Sequence, residues 1–432
     1  MQPSWYLLIL LLTLSPWLMA QNEEFSFDPD EFEPKVFEFT GYVEAEPEYA
    51  RANQDGALYQ LQFLGRDPQQ HLERFTGTLE LEGHARKGIA SVHVQTHSEI
   101  VRDYLGDDDE HVLYQGYASV QPDPGFAVDL GKKAVRWGKG YAWNPVAFVE
   151  RAKDAGDPDL SREGYWIAVA DWIKSFDGPL QSVALTPLIL PVQNNVNEDF
   201  GRPGHNNLSA KLYLLYRDID IDFMFLSNGS RSARVGMDFS KNLAPNFEIH
   251  GEFAYFNDAI HPTLTDGCKK GAPRVEDEVS YLIGTRYRNS NDITLIWEYY
   301  FNGLGNDRKE QEQFYRCVHR AWESGDQDLI DGLPVGKDLD KGPFSRPNPM
   351  RQYMNFRVWW EEPRNLLYLT PGLQVLYNLE DKSFSVSPDI SYTGYENLEL
   401  RLRGTVPVGD SLTEWGEKPN KYKIELRARY YF

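Results

Sequence analysis

The sequence predicts an all-β chain, a transmembrane antiparallel β-barrel of about 18 strands (roughly 16 to 18), with long external loops and one loop helix. Three observations carry this. The first is composition: the 432 residues are only 41% hydrophobic, yet they include 11 Trp, 25 Tyr and 23 Phe. Beyond the N-terminus no run approaches the roughly 20 apolar residues of a membrane helix. Aromatics in such number suit the girdles at the two interfaces of a barrel wall. The second is period-two alternation, which sorts apolar and polar side chains onto opposite faces of a strand. The third is connection length, which alternates between short turns and long loops. A soluble β-sandwich is the competing fold, but it would place more apolar residues on inward faces. Lys+Arg 44 against Asp+Glu 65, a net charge of −21, excludes a nucleic-acid binder. Two Cys exclude a disulfide scaffold and a four-cysteine zinc site.

In chain order, the apolar run Leu7 to Leu14 and the small-residue point Met19-Ala20-Gln21 predict a signal peptide over 1–20. The alternative is a buried first helix. The run is too short to span a bilayer, no Lys or Arg precedes Lys35, and no Cys follows Ala20 to carry a lipid anchor. Residues 21–34, rich in Asp, Glu and Phe, read as an exposed acidic periplasmic lead-in, and the barrel occupies 35–432. One strand falls within 35–65, where both 36–48 and 55–65 look strand-like and an even strand number admits only one. The others fall near 71–84, 87–102, 110–121, 125–137, 163–174, 179–190, 206–217, 218–228, 231–240, 246–257, 276–289, 291–303, 349–361, 366–379, 383–394, 396–407 and 418–432. Turns such as 177–178, 289–291 and 362–364 are short. Segments 138–162, 191–205, 258–275 and 304–348 are long and all fall on the opposite, external side.

The final strand has the clearest pattern. Tyr422, Ile424, Leu426, Ala428, Tyr430 and Phe432 share one face, and Lys421, Lys423, Glu425, Arg427, Arg429 and Tyr431 the other. With its terminal Phe432, this segment resembles the closing strand and C-terminal assembly signal of Gram-negative outer-membrane β-barrels. The resemblance implies an outer-membrane location, contact with outer-membrane lipid and handling by the barrel assembly machinery. Gly131–Gly140 followed by Trp143–Pro145 is similar to a stretch of porin-like barrels related to alginate-export porins, which implies a basic conduit for acidic solutes or polysaccharide.

Cys268 and Cys317 lie in the loops 258–275 and 304–348, both external, so an exported chain is expected to pair them; two free thiols are the alternative. Phe314, Cys317, Val318, Ala321 and Trp322 repeat at helical spacing. Asp307 and Glu310 form a capping box, and Gly325 ends the helix. That helix serves as a lid on the pore or as packing on the rim. The segment from Arg136 to Glu163 is Gly- and aromatic-rich. Its Arg136, Lys139, Arg151, Lys153 and Arg162 mix with Glu150, Asp154, Asp157, Asp159 and Glu163, which suits a constriction folded into the lumen or a solvated external loop. Its Gly-x-Gly lacks the lysine-serine pair and following helix of a phosphate cradle.

Alternation assigns Arg286, Arg288, Arg351, Arg357, Arg401, Arg403, Arg427 and Arg429 to the lumen of the C-terminal wall, with Glu298, Glu399 and Glu425. Asp218, Asp220 and Asp222 mark an acidic wall opposite, beside Lys211 and Arg217. Facing basic and acidic walls orient polar solutes, and an excess of Arg favours anions. The competing reading is structural: Glu399 opposite Arg429 and Arg403 opposite Glu425 would stabilise the wall and leave only Arg401 and Arg427 in excess.

Ser227-Asn228-Gly229 resembles the Ser-Asn-Gly of outer-membrane phospholipases, but Phe225 stands where that family has its base, so no enzyme is expected. His93 and His97 share a strand face without an evident third ligand, so no metal or cofactor is expected. The sequence thus points to a porin-like channel for passive passage of polar, in particular anionic, solutes or polymers. A sleeve around a periplasmic partner, or the outer part of an export system, is the alternative. Oligomeric state is not encoded in the pattern.

Overall fold

A computed structural model describes residues 36–432, apart from 159, 161, 326–328, 330, 331 and 334–341. The segments read as signal peptide and lead-in, and Asp159, lie outside the described residues. Eighteen strands form one closed antiparallel sheet: β1 (Phe37–Ala52), β2 (His71–Lys87), β3 (Ala90–Asp103), β4 (Asp107–Asp123), β5 (Phe126–Lys133), β6 (Tyr165–Ser175), β7 (Leu180–Val192), β8 (His205–Tyr216), β9 (Ile219–Leu226), β10 (Arg234–Ala244), β11 (Phe247–His261), β12 (Arg274–Arg288), β13 (Ile293–Phe301), β14 (Gln352–Trp360), β15 (Leu369–Asn378), β16 (Phe384–Tyr395), β17 (Leu398–Val408) and β18 (Asn420–Tyr431). Each pairs with its sequence neighbour, and β1 closes on β18 with Tyr42 opposite Tyr431. Phe432 completes the seam: its N–H and C=O exchange hydrogen bonds of 3.0 Å with Gly41, and its ring lies 6.3 Å from that of Phe39.

The expected strands are all present. β5 stops at Lys133, short of the expected 137, because the chain turns into the lumen there. The segment 55–65 is not the competing strand but contains helix α1 (Ala57–Gln62). Its apolar residues pair at i, i+4: Ala57 with Leu61 against a cluster of loop side chains, and Tyr59 with Phe63, whose rings stack at 4.3 Å. Short apolar runs of this kind fit either period, and packing decides. Helix α2 (Arg308–Ser324) has the expected capping box, Asp307 and Glu310 each accepting at 2.9 Å from the other's backbone N–H, and ends on Gly325 at φ 62°. Cys268 and Cys317 are bonded.

Long connections gather at one end of the barrel and hairpin turns at the other. Arg217 and Asp218 form one such turn, both with positive φ (50° and 58°), as a two-residue hairpin loop requires. Asp218 therefore belongs to the turn and hydrogen-bonds Gln181, and the expected acidic wall loses that member.

Outer and inner faces are inverted relative to a soluble protein. Leu402 and Leu426 point outward, about half exposed (50% and 47%), while the inward Asp222 and Glu298 are 2% and 0% exposed. Outward apolar side chains continue round the wall through Ile424, Ile283, Phe223, Phe225, Ile189 and Leu130. Such an apolar belt over a polar interior is stable only if hydrocarbon lies outside, which is the condition of a transmembrane barrel.

Candidate functional site

Residues 134–164 leave β5, cross the lumen and return to β6. What holds them there is a set of inward carboxylates on strands far away in sequence. Glu252 of β11 accepts from the N–H groups of Lys139 and Gly140, both at 2.6 Å, from Asn144 Nδ2 at 3.0 Å and from Val146 N–H at 3.3 Å. Glu298 of β13 accepts from Tyr141 N–H at 2.5 Å and Ala142 N–H at 2.8 Å, and is flanked by Asn355 and His250, each at 3.2 Å. The Gly-x-Gly of this loop does cradle an anion, but the anion is the protein's own Glu252. Gly138 sits at φ 94°, and a Cβ there would collide with Asn144 and the Glu252 carboxylate. Lys139 adds an ion pair to Asp222 at 3.0 Å.

The other side of the loop is apolar. Trp137, Val146, Phe148 and Val149 pack on inward residues of β6 to β11, among them Ile167, Val169, Leu188, Leu190, Met224, Leu226 and Phe256. The inward face here is apolar because the loop buries it, and each such side chain contributes roughly 1.5–3 kcal/mol.

Within the loop, Glu150 is buried, accepts from Trp137 N–H and pairs with Arg162 at 3.0 Å. Burial pushes its carboxyl up to about 7. Arg151 joins Glu163 at 2.7 Å and Asp199 of the external loop 193–204. The far tip carries Asp157, which accepts from Arg427 Nη2 at 2.9 Å and Arg401 Nη1 at 3.1 Å.

Two chambers flank the loop. The first, about 390 Å³, is lined by Lys133, Arg136, Arg151, Arg162 and Lys211 against Glu150, Glu163 and Asp171. The second, about 510 Å³, brings together Arg286, Arg357, Arg401, Arg427 and Arg429 against Asp157, Asp389 and Glu399. The strand register expected from sequence is present: Glu399 stands opposite Arg429, Arg401 opposite Arg427 and Arg403 opposite Glu425. Partners from β1 that sequence reasoning missed add to it, Glu44 with Arg429 at 2.6 Å and Glu46 with Arg427 at 2.7 Å. Their alternation with Val43, Ala45 and Pro47 was the available signal.

Other expected lumen residues sit at the rims or are engaged by neighbours within the lumen. Arg288 is at the short-turn rim with Asp292 (2.9 Å) and Glu361 (2.8 Å), and Arg351 precedes β14 at the opposite rim. Arg403 turns to Gln374 Oε1 at 3.1 Å. Glu298 is occupied by the loop. Asp220 accepts from the Tyr213 hydroxyl at 2.5 Å. His97 lies between Glu80 (3.3 Å) and Glu99 (3.8 Å). Ser227 Oγ accepts from Leu208 N–H at 2.9 Å in the connection after β9.

Above the mouth, α2 packs Phe314, Cys317 and Val318 with α1, Cys268 and Phe344. Glu417 ties this cap together, accepting from Ala57 N–H (2.5 Å) and Leu412 N–H (2.6 Å) and pairing with His319 at 3.1 Å. The helix thus binds the external connections from β11 round to β2 and caps that part of the rim.

No protein-family model and no curated protein matches this sequence. Solved structures do. Acinetobacter baumannii OccAB1 superposes with a TM-score of 0.52 at 10% identity, over 91% of this chain and 96% of that one. Pseudomonas aeruginosa OccK5 gives 0.51 at 10% identity, over 91% and 98%. OccK2 of the same organism, solved in complex with glucuronate, gives 0.50 at 12% identity, over 91% and 98%. The fold is that of the Occ and OprD outer-membrane porins, a closed 18-strand antiparallel barrel.

Proposed function

We propose that this chain is an outer-membrane channel for passive passage of small polar anions, with residues 134–164 as its constriction. The observation that carries this is the second chamber, whose lining presents five arginines and three carboxylates in a chain of net charge −21, with Glu44 and Glu46 paired to Arg429 and Arg427 from outside the lining. A guanidinium is always charged and binds carboxylate in a forked geometry, so an excess of them in a narrow, low-dielectric passage favours anions. Both chambers have small-molecule dimensions, which favours a compact solute over polysaccharide. The glucuronate bound by the similarly folded OccK2 is a solute of this kind, a hydroxylated monocarboxylate.

A sleeve around a folded partner is disfavoured because the chain's own loop occupies the bore. An outer-membrane hydrolase is disfavoured because Phe225 stands at the position where that family's base would be, and Ser227 Oγ is engaged by Leu208 N–H. Folding through the barrel assembly machinery, with Phe432 as its signal, belongs to the same reading.

The test is single-channel recording in planar bilayers under a salt gradient. Wild type is expected to conduct with a reversal potential on the anion side. Arg401→Ala/Arg427→Ala is expected to move that potential toward zero while conductance persists. A cation-selective wild type, or a double variant indistinguishable from it, would overturn the anionic reading; a protein that does not conduct at all would return the sleeve.

A further inference from the structure

At the external end of the lumen, β11 carries a one-residue bulge: Phe256 lies opposite Glu278, but Ala259 lies opposite Glu276. Up to Phe256 the inward positions of β11 are even-numbered (His250, Glu252, Ala254), and beyond the bulge they are odd. The bulge therefore swings His261 inward, the usual effect of an extra residue on side-chain direction. There it meets Glu276 and Glu278, which share the inward face of β12.

One nitrogen or oxygen from each of His261, Glu276 and Glu278 lies within 4.8 Å of the other two. His261 is 6% exposed. Its Nε2 points at Glu278 Oε1 from 3.2 Å, yet has no hydrogen bond of acceptable geometry. This buried imidazole nitrogen has no hydrogen bond and stands beside two carboxylates, so three donor groups gather at one point of the inward face. Arg274 pairs with Glu276 and with Glu310 of α2 at 2.9 Å, and the charges of Arg274 and Arg351 reach both carboxylates of the cluster.

We infer that His261, Glu276 and Glu278 form a binding site for a borderline divalent cation such as Zn²⁺. Imidazole nitrogen and carboxylate oxygen are both ligand types for this ion, and three such groups leave the fourth position to water. Ligand atoms of a tetrahedral site stand about 3.4 Å apart, so the cluster closes by about an ångström on binding. The ligands belong to one hairpin and need no loop ordering. The hairpin continues into the loop that carries Cys268, so the ion clamps the base of the disulfide-bonded cap.

The probe is Zn²⁺ alone, added to folded, chelator-treated full-length protein in detergent and followed by equilibrium dialysis; heat-modifiable gel mobility verifies folding. One saturable equivalent is expected. His261→Gln and Glu278→Gln are each expected to weaken it more than about tenfold. Arg274→Met is expected to tighten it, because it releases Glu276. If a variant fails to fold, wild type loaded with Co²⁺ decides: a tetrahedral visible absorption band with an imidazole ligand is expected. Absence of a saturable equivalent, binding unchanged in the glutamine variants, or a Co²⁺ spectrum of an octahedral aquo ion would each overturn the site.

Discussion

Arg401 and Arg427 stand directly opposite each other on β17 and β18. Two guanidiniums about 5 Å apart repel by about 3 kcal/mol at an effective dielectric of 20. Asp157 cancels this by bonding both. Asp157→Asn keeps the shape and removes the charge. The expected result is a reversal potential displaced further toward the anion side than in wild type, read in the same salt gradient; a shift toward cations would sink the assignment. The cross-strand pairs around this site were legible in the sequence, because register follows from alternation once a hairpin is placed. Asp157 was legible only as one acid among several in its loop, since nothing local records a partner 244 residues away. Asp218 failed for a different reason. The run Asp218, Asp220, Asp222 continues its period through the turn, and period two does not mark where a strand begins.

The loop 134–164 illustrates the same limit for an element. Its length, glycines and mixed charge marked it as either a constriction or a solvated loop, and its own residues do not decide between them. The decision lies in Glu252 and Glu298, more than 80 residues downstream, and in an apolar patch on β6 to β11 that alternation alone does not separate from lipid-facing positions. Glu150 makes the anchoring of this element pH-dependent. Its carboxyl is raised by burial from an ordinary 4.5 to about 7. The docked loop therefore favours the protonated form. That contribution is fully present below pH 4.5 and is lost as pH rises through about 7, by an amount on the order of 3 kcal/mol. Open-channel current fluctuation is expected to grow between pH 5 and 8 in wild type and to stay flat in Glu150→Gln. Fluctuation that falls with rising pH would contradict the sign.

For the whole molecule, the strands and their even number were legible because a membrane wall imposes one rule on every residue of it: odd and even positions meet different solvents. The two segments that sequence reasoning left open, 55–65 and the inward loop, are those that never touch lipid and so escape the rule. The rule also gives the sharpest test of the architecture. Leu426 and Arg427 are adjacent in β18, one outward and half exposed, the other inward and bonded to Asp157, Glu46 and Glu44. In a soluble sandwich, changing a half-exposed leucine to arginine is nearly neutral, within about 0.5 kcal/mol. In a bilayer, an arginine near mid-strand on the outer face costs about 2–4 kcal/mol. Leu426→Arg is therefore expected to lower unfolding stability by that amount in reversible denaturant titrations from lipid vesicles, followed by tryptophan fluorescence. Because Leu402 lies directly opposite Leu426 on the same outer face, Leu402→Arg is expected to cost a similar amount. A neutral result at both positions would place water, not hydrocarbon, against this wall.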